Sequence, residues 1–172
     1  MSKKTKSKIA IALLTASGAL LSGIKVDEGF TAKPIIPTQG DVPTIGHGTT
    51  VYPNGKPVRM EDQPISRQTA DHYLENHVSK VEQQLKASIP NVQLSQDEYD
   101  VYLDFVYQFG IGTFNQSSMR NYLLKGDYKQ ACTALLKYKY TAGRDCSVRS
   151  NNCYGVYVRQ FNRYQKCIGV NQ

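Results

Sequence analysis

The feature that most constrains the fold of this chain is an uncharged apolar stretch near its N-terminus. Ile9 to Ile24 contain no charged residue and follow four lysines, Lys3, Lys4, Lys6 and Lys8. A positive flank followed by an apolar run is typical of a segment that directs a chain to a membrane or to export. We therefore predict a signal-anchor segment over residues 1–24 and a single folded domain over residues 25–172.

The composition of the apolar stretch leaves three interpretations open. Its 16 residues are fewer than the roughly 20 of a stable membrane span, and Gly, Ala, Ser and Thr dilute its leucines and isoleucines. It can be a signal peptide cleaved between Ala16 and Ala19, a permanent anchor, or an anchor that later leaves the membrane uncleaved. The weak apolar character favours release. An ordinary buried helix is disfavoured, because such a helix would carry polar residues along one face.

Charge and cysteine content narrow the functional classes. The net charge is +7, and the four N-terminal lysines supply four of these charges, which leaves +3 for the rest. We therefore expect no nucleic-acid partner. No cysteine pair has the spacing of a metal site, so no metal is expected. An even cysteine count after an export signal predicts two disulfides in an oxidising compartment. Three pairings are possible, and we favour Cys132 with Cys167 and Cys146 with Cys153. The alternative to disulfides is four buried thiols.

Hydrophobic periodicity predicts a small antiparallel sheet followed by helices. The sheet is expected around Thr44, Val51 and Val58. Apolar residues then recur at helical spacing from Ser66 to about Ala87. A capping box at Ser95 opens the next helix, which Gly110 and Gly112 close. Three shorter helices are expected over Ser117–Leu124, after the cap Asp127, and over Gly155–Lys166, the last with Tyr157, Phe161 and Tyr164 facing inward. The predicted fold class is α+β, mostly α.

The residues that follow the apolar stretch place acids among glycines. Cleavage of a glycosidic bond needs a proton donor for the leaving oxygen and a second group that stabilises charge or activates water. Glu28 suits the first role, because its apolar neighbours are expected to desolvate it partly. Asp41 and Thr44 lie further along the same glycine-punctuated stretch. The alternatives are a surface carboxylate at a helix end for Glu28, a turn aspartate for Asp41 and a strand residue for Thr44.

Several motifs in the chain resemble the phage-type lysozymes of glycoside hydrolase family 24. The first two are Glu28-Gly-Phe and Val42-Pro-Thr-Ile-Gly-His-Gly-Thr-Thr50, and the likeness extends in register over about 140 residues. The lysine-flanked start further resembles the endolysins with a signal anchor that is released. Later matches are Leu103-Asp-Phe-Val-Tyr-Gln-Phe-Gly110, Gly112-Thr-Phe114, Ser117, Arg120, Gly126, the helix of Cys132, and Gly155-Val-Tyr-Val-Arg159.

The resemblance implies a lysozyme-like fold and assigns roles to the site residues. Glu28 would be the general acid, Asp41 would assist the attacking water and Thr44 would hold it. The family pattern E-x8-D-x5-T is not matched, since Thr38 stands where the aspartate is expected and Asp41 lies three residues further on. Substrate contacts are expected from residues whose alternative role is local packing or hydrogen bonding, namely His47, Gln108, Phe114, Ser117 and Arg120.

The implied activity is that of an endolysin cutting the β-1,4 bond between N-acetylmuramic acid and N-acetylglucosamine of peptidoglycan. No cofactor is expected, because carboxylates suffice for this chemistry. The protein is expected to be a monomer, held at the host inner membrane through residues 9–24 and then released to the periplasm. The rivals are a lytic transglycosylase, which uses one acid, and a non-catalytic, membrane-tethered wall-binding protein.

Overall fold

A computed structural model of the chain describes residues 7–171, and helices dominate it. The order of elements confirms the α+β, mostly α class, with small antiparallel sheets among the helices. The helices are α1 (Gly18–Glu28), α2 (Arg67–Ser88), α3 (Gln96–Asn115), α4 (Ser118–Leu124), α5 (Tyr128–Ala134) and α6 (Tyr154–Val170). The strands are β1 (Ile9–Ala10), β2 (Thr31–Ile35), β3 (Thr44–Gly46), β4 (Gln93–Leu94), β5 (Tyr140–Thr141) and β6 (Arg144–Asp145). Short 3-10 turns cover Ile11–Leu13, Leu135–Lys137 and Arg149–Asn151.

The chain divides into two compact units. The first, which we call the hairpin unit, is Ala16–Gln83, and the second, the helical unit, comprises the described residues on either side of it. In the hairpin unit, β2 and β3 pair antiparallel with an irregularity between Thr31 and Ile35. Its buried apolar side chains come from α1, β3, the following loop and α2: Ile24, Ile45, Val58, Ala70, Leu74, Val78 and Val81.

The helical unit is built around an aromatic core. The capping box predicted at Ser95 is present, with the side chains and backbone N–H groups of Ser95 and Glu98 bonded reciprocally. The cap predicted at Asp127 opens α5, and Ser117, the predicted first residue of a helix, caps α4. α3 continues past the predicted stop to Asn115, with a kink at Gly110, where φ is 80°. The core side chains include Tyr99, Tyr102, Phe105, Phe114, Met119, Leu123 and Leu135.

Both predicted disulfides are formed. Cys132 of α5 is bonded to Cys167 of α6, and Cys146 is bonded to Cys153 just before α6. The first bridge lies in the core, with both cysteines fully buried. The second closes a short loop around the Arg149–Asn151 turn. The nested pairing, favoured among the three possible ones, is therefore confirmed.

The apolar stretch from Ile9 to Ile24 is divided between the two units. In the helical unit, β1 pairs with β4, and Ile11 and Leu14 are buried. In the hairpin unit, Ser17 caps α1, whose residue Ile24 is buried. Since α1 extends to Glu28, it crosses the sequence boundary at residue 24 without interruption. Among residues 7–171, no helix combines the length and the apolar character needed to cross a membrane.

The orientation predicted for the aromatic residues of α6 is wrong. Phe161 is 38% exposed, and Tyr157 and Tyr164 are only half-buried. The side of α6 that faces the core carries Gln160, Arg163, Cys167 and Val170 instead. Arg163 is tolerated there because its Nε donates a 2.7 Å hydrogen bond to Asp104 of α3. A buried ion pair and a disulfide thus take the place that periodicity assigned to rings.

Candidate active site

Glu28 lies at the junction between α1 and the hairpin. It is the last residue of α1, and Gly29 terminates the helix with φ at 70°. This left-handed conformation is accessible to glycine at little cost. Glu28 is exposed, so the partial desolvation expected from its apolar neighbours is not observed. The helix end nevertheless fixes the backbone position from which the side chain of Glu28 extends.

The glycines of β3 and the following turn let backbone approach closely from two sides. A Cβ added to Gly48 would lie 3.2 Å from Oε2 of Glu28, and a Cβ on Gly46 would lie 2.8 Å from Cβ of Ala70. Both glycines also have positive φ, 68° at Gly46 and 79° at Gly48. Any larger residue would therefore be strained and would push the hairpin away from α2 or from Glu28. The hairpin backbone and the carboxylate of Glu28 are in this way held together.

His47 lies between these glycines and connects three elements of the hairpin unit. Its Nδ1 hydrogen-bonds the carbonyl oxygen of Gly29, and its Nε2 lies 2.9 Å from Oδ1 of Asp71 on α2. The residue is 3% exposed. Because both ring nitrogens are engaged within the protein, the structure favours the local hydrogen-bonding role of His47 over the predicted sugar contact. His47 thereby ties the residue after Glu28 to α2.

Asp71 and Lys25 are members of this network that sequence analysis did not identify. Lys25 of α1 extends its Nζ to 3.2 Å from Oδ2 of Asp71 and 3.6 Å from Oε1 of Glu75. Asp71 and Glu75 are four residues apart and so share one face of α2. That i, i+4 acid pair was the available signal, but its cationic partner lies more than 40 residues earlier in the chain. α1 is thus joined to α2 beside the hairpin.

Asp71 is expected to make the stability of the protein dependent on acid pH. Hydrogen bonds from His47 and then Lys25 lower the pKa of the Asp71 carboxyl below its ordinary value of 3.8. A lowered folded-state pKa stabilises the protein above pH 3.8, and this contribution is lost as the pH falls through the folded-state value. Asp71→Asn should therefore melt at a lower temperature than wild type at pH 7, and the two melting temperatures should converge below pH 3.8. Thermal melts from pH 7 to pH 2.5 measure this, and a constant difference would contradict it.

Asp41 and Thr44 occupy different environments. Thr44 begins β3 opposite Ile35 and is half-buried. Asp41 is exposed in the loop between the strands, and its backbone N–H donates to the carbonyl oxygen of Thr38 at 2.9 Å. Asp41 and Thr38 are therefore the two ends of one tight turn. This turn brings the available carboxylate close to the chain position where the family pattern expects an aspartate.

The other predicted substrate contacts belong to the helical unit, where two of them are structural. Phe114 is fully buried against the rings of Tyr102 and Phe105. Ser117 is 3% exposed, donates to the carbonyl oxygen of Phe114 and caps α4. Both fit the packing alternative. Gln108, by contrast, is exposed on α3.

Arg120 is half-buried, and its guanidinium hydrogen-bonds Ser88, the last residue of α2. Its Nε donates to the hydroxyl of Ser88 at 2.8 Å, and its Nη2 donates to the carbonyl oxygen of Ser88 at 3.0 Å. The same hydroxyl donates to Oδ1 of Asn115 at 2.6 Å. Arg120 and Asn115 line a shallow depression of about 570 Å³. Arg120 thus has a structural bond and still borders an open surface.

A depression of the hairpin unit is lined by residues other than the predicted catalytic ones. It has a volume of about 800 Å³, and its lining includes Tyr52, Tyr73 and His72. Tyr52 donates a 2.8 Å hydrogen bond to Asp62 there. Burial of the phenol, and to a smaller extent this hydrogen bond, raises the pKa of Tyr52 to about 12. Across residues 7–171, no group of three or more His, Cys, Asp or Glu side chains is arranged to hold a metal ion.

Comparison with known proteins identifies the family of the chain. The model of the family described as phage lysozyme matches residues 25–166. A probable prophage lysozyme of Escherichia coli K12 is 31% identical over 131 residues, which are 75% of this chain and 69% of that protein. A SAR-endolysin of Escherichia phage 933W is 41% identical over 54 residues, 31% of this chain and 30% of that protein.

A solved structure shares the fold as well. The endolysin of the Escherichia coli O157:H7 phage FAHEc1 superposes with a TM-score of 0.73 at 25% identity, and the match covers 90% of this chain and 94% of that one. The fold and the family match agree. The chain therefore belongs to the phage lysozyme family and is a glycoside hydrolase that acts on peptidoglycan.

Proposed function

We propose that this lysozyme hydrolyses the β-1,4 bond between N-acetylmuramic acid and N-acetylglucosamine, with Glu28 as the general acid. The observation that carries the assignment is the placement of the Glu28 carboxylate against the backbone of Gly48. The carboxyl proton passes to the glycosidic oxygen as the bond to the anomeric carbon breaks. A water then adds to that carbon and loses its proton, so a new reducing end forms. No redox partner is consumed in this sequence.

Thr44 and Asp41 are proposed to serve the attacking water. A threonine hydroxyl can donate and accept a hydrogen bond at once, which suits the task of orienting a water molecule. Thr44 is well placed to do so, because β-pairing fixes its backbone at the start of β3. Asp41 is the carboxylate nearest in sequence to Thr44 and would accept the proton of the water or stabilise developing positive charge.

Mass analysis of the released muropeptides tests this function. Hydrolysis adds one water to each bond that is cut and leaves a reducing end. A lytic transglycosylase instead leaves an anhydro product without added water, and a wall-binding protein releases neither. We expect reduced, borohydride-labelled muropeptides from purified sacculi. Anhydro products alone would replace the proposed function with the transglycosylase alternative.

Exchange of the two turn residues distinguishes the roles of Asp41 and Thr38. Asp41→Asn is expected to lower the turnover rate about 100-fold, in the range that general acid–base groups contribute, because an amide cannot accept the proton. Thr38→Ala should leave the rate near that of wild type. Initial rates on sacculi measure both, with melting temperatures as the control for folding. The reverse result, an active Asp41→Asn and an inactive Thr38→Ala, would move the second role to Thr38.

We further infer that the described fold is the form of the enzyme that has left the inner membrane. Lys8, from the flank of the apolar stretch, pairs with Glu98, which is fully buried. Its Nζ also donates to Oδ1 of Asn171 at 3.0 Å and lies 3.6 Å from the centroid of the Tyr128 ring. A segment inserted with its lysines in the cytoplasm would leave Glu98 without this cation. A buried carboxylate without its partner is costly, so the pair favours the released form.

The membrane potential supplies a trigger for this release. The potential holds a positive charge on the cytoplasmic side by about 2.3 kcal/mol per 100 mV. Four lysines precede the apolar stretch. When the membrane potential collapses, the electrical work that keeps these lysines on the cytoplasmic side is lost, and the segment is retained less strongly. The short, diluted apolar stretch then has a weak hold on lipid. On this proposal residues 1–24 are an anchor first and a part of the enzyme afterwards.

The Lys8 pair provides a test of release. Lys8→Gln should lower the fraction of enzyme recovered in the periplasm after depolarisation, because Glu98 then lacks its cation. Lys4→Gln removes a charge from the same flank and is the matched control, expected to release as wild type does. N-terminal sequencing of the periplasmic protein should find Met1 or Ser2. A protein cut between residues 16 and 19 that is fully active would overturn the inference.

A further inference from the structure

Four aromatic rings form a row along one side of α6. Tyr154, Tyr157, Phe161 and Tyr164 recur at spacings of three and four residues, which places them on one stripe of the helix. Successive ring centroids lie 5.6, 6.0 and 6.2 Å apart. Phe161 is 38% exposed, and the three tyrosines are half-buried. We call these four residues the aromatic ladder.

The ladder is not part of the hydrophobic core of the helical unit. The buried residues of α6 are Gln160, Arg163, Cys167 and Val170, on a different side of the helix. Contiguous aromatic surface left in contact with water is costly and marks sites of interaction in soluble proteins. The rings are therefore a candidate surface for binding a ligand.

One cation lies directly against the ladder. Between Lys137 and Lys166 the chain has seven Lys and Arg residues and a single acid, Asp145, but Arg163 is buried against Asp104 and Lys139 is paired with Asp145. The guanidinium of Arg149 lies 4.1 Å from the centroid of the Tyr154 ring. Lys166 faces Asp97 and Asp100 of α3, so it is partly compensated. The ladder and Arg149 are thus suited to a ligand that offers apolar ring faces and negative charge.

A disulfide-closed loop holds Arg149 before the start of α6. The Cys146–Cys153 bridge joins the residue after β6 to the residue before α6. The loop is tied to the preceding hairpin, since the N–H of Cys146 donates to the carbonyl oxygen of Lys139 at 2.9 Å and the side chain of Asn151 donates to the carbonyl oxygen of Asp145 at 2.8 Å. Arg149 is therefore presented by a braced turn, which lowers the entropy lost when a ligand binds.

We propose that the aromatic ladder, with Arg149, binds a glycan strand of peptidoglycan as a holding surface additional to the bond-cleaving residues. Pyranose rings present polarised C–H groups, which the electron-rich faces of aromatic rings attract. The repeat of rings along α6 offers successive faces to successive sugars. The carboxylates of the stem peptides provide the negative charge that Arg149 pairs with. This inference rests on peptidoglycan being the substrate of the enzyme.

The chemistry of the ladder favours a glycan over a lipid surface. Helices that lie in a membrane interface bury a broad aliphatic and aromatic face. Three of the four ladder residues are tyrosines. Phenol hydroxyls can also hydrogen-bond to sugar hydroxyls. A lipid surface is therefore left as an outcome of the test.

Binding to sacculi without catalysis tests the holding surface. In a Glu28→Gln background, Tyr157→Ala/Phe161→Ala is expected to bind purified insoluble peptidoglycan about tenfold more weakly, given what aromatic contacts contribute. Met60→Ala/Leu124→Ala removes two side chains that are about equally exposed, at 50% and 48%, and should bind as the parent does. Tyr157→Phe/Phe161→Tyr keeps both rings and should also bind normally. Equal binding by the alanine variant and its parent would overturn the proposal.

Two further experiments distinguish a holding surface from a structural role of the rings and from a lipid-binding surface. With Glu28 intact, Tyr157→Ala/Phe161→Ala should raise KM on sacculi but leave kcat on a short soluble glycan fragment unchanged, provided its melting temperature shows that it is folded. An equal loss on both substrates would assign the rings a structural role. Weaker binding to phosphatidylglycerol vesicles with unchanged binding to sacculi would identify a lipid surface instead. Cleavage of sacculi by Glu28→Gln would contradict the proposed acid, whereas equal binding by the alanine variant and its parent would contradict the holding surface, so the two failures are distinguishable.

Discussion

Replacement of Glu28 by glutamine is expected to abolish the lysis of permeabilised cells while the protein stays folded. The amide keeps the size of the side chain at the end of α1 but cannot donate the proton that the glycosidic oxygen requires. General acids contribute about 100-fold to 10,000-fold to the rate, so activity should fall into the background of a turbidity assay. Because Glu28 is exposed, the substitution leaves no unsatisfied buried group.

The control for this experiment is a second exposed carboxylate in the hairpin unit. Glu61 is exposed, and its Oε1 lies 4.0 Å from Nη1 of Arg59. Glu61→Gln should therefore retain full activity, and both variants should melt within a few degrees of wild type. Lysis by Glu28→Gln at the wild-type rate would remove Glu28 from the mechanism, whatever the other residues do.

Loss of the core disulfide is expected to cost more stability than loss of the outer one. The Cys132–Cys167 bridge spans 35 residues and the Cys146–Cys153 bridge spans 7. In the chain-entropy model, bridges of these lengths stabilise by about 4 and about 2 kcal/mol, respectively. Cys132→Ala/Cys167→Ala should add a packing loss, because both cysteines are fully buried beneath the hydroxyl of Tyr102.

Urea denaturation of the two double variants measures this difference. The free energy of unfolding should fall by about 4 kcal/mol for the core pair and about half as much for the outer pair. Wild type reduced with a thiol in the unfolded state provides the reference without substitutions. An outer pair that costs as much as the core pair would show that bracing of the 139–153 hairpin, and not loop closure, dominates.

The helices of the fold could be predicted because their signals are local. The Ser95 and Asp127 caps and the periodicity of α2 depend on residues within a few positions of one another. Two disulfides were also predicted, from an even cysteine count after an export signal, and the favoured one of three possible pairings is present. Where prediction failed, the deciding partner was remote in sequence. α6 buries Arg163 because Asp104, 59 residues earlier, receives it, so its aromatic residues are displaced from the core.

The candidate site shows the same division. Glu28 and the hairpin glycines were identified from motif and spacing, whereas the engagement of His47 was not, because it depends on Asp71. Lys25 and Asp71 carried no local signal that joined them. Phe114 and Ser117 were chosen by resemblance, and their burial shows that they support the helix junction.

By itself the sequence determined the class of the fold, the family, the position of Glu28 and the four lysines that precede a weak apolar stretch. These follow from local pattern, composition and resemblance. Only the tertiary structure decided what that stretch becomes: its first part pairs with β4 and brings Lys8 to the buried Glu98, and its second part forms the helix that ends at Glu28. The physical reason is that the partners of these residues lie far along the chain: Lys8 pairs with a carboxylate 90 residues away. No local pattern in the sequence indicates that contact.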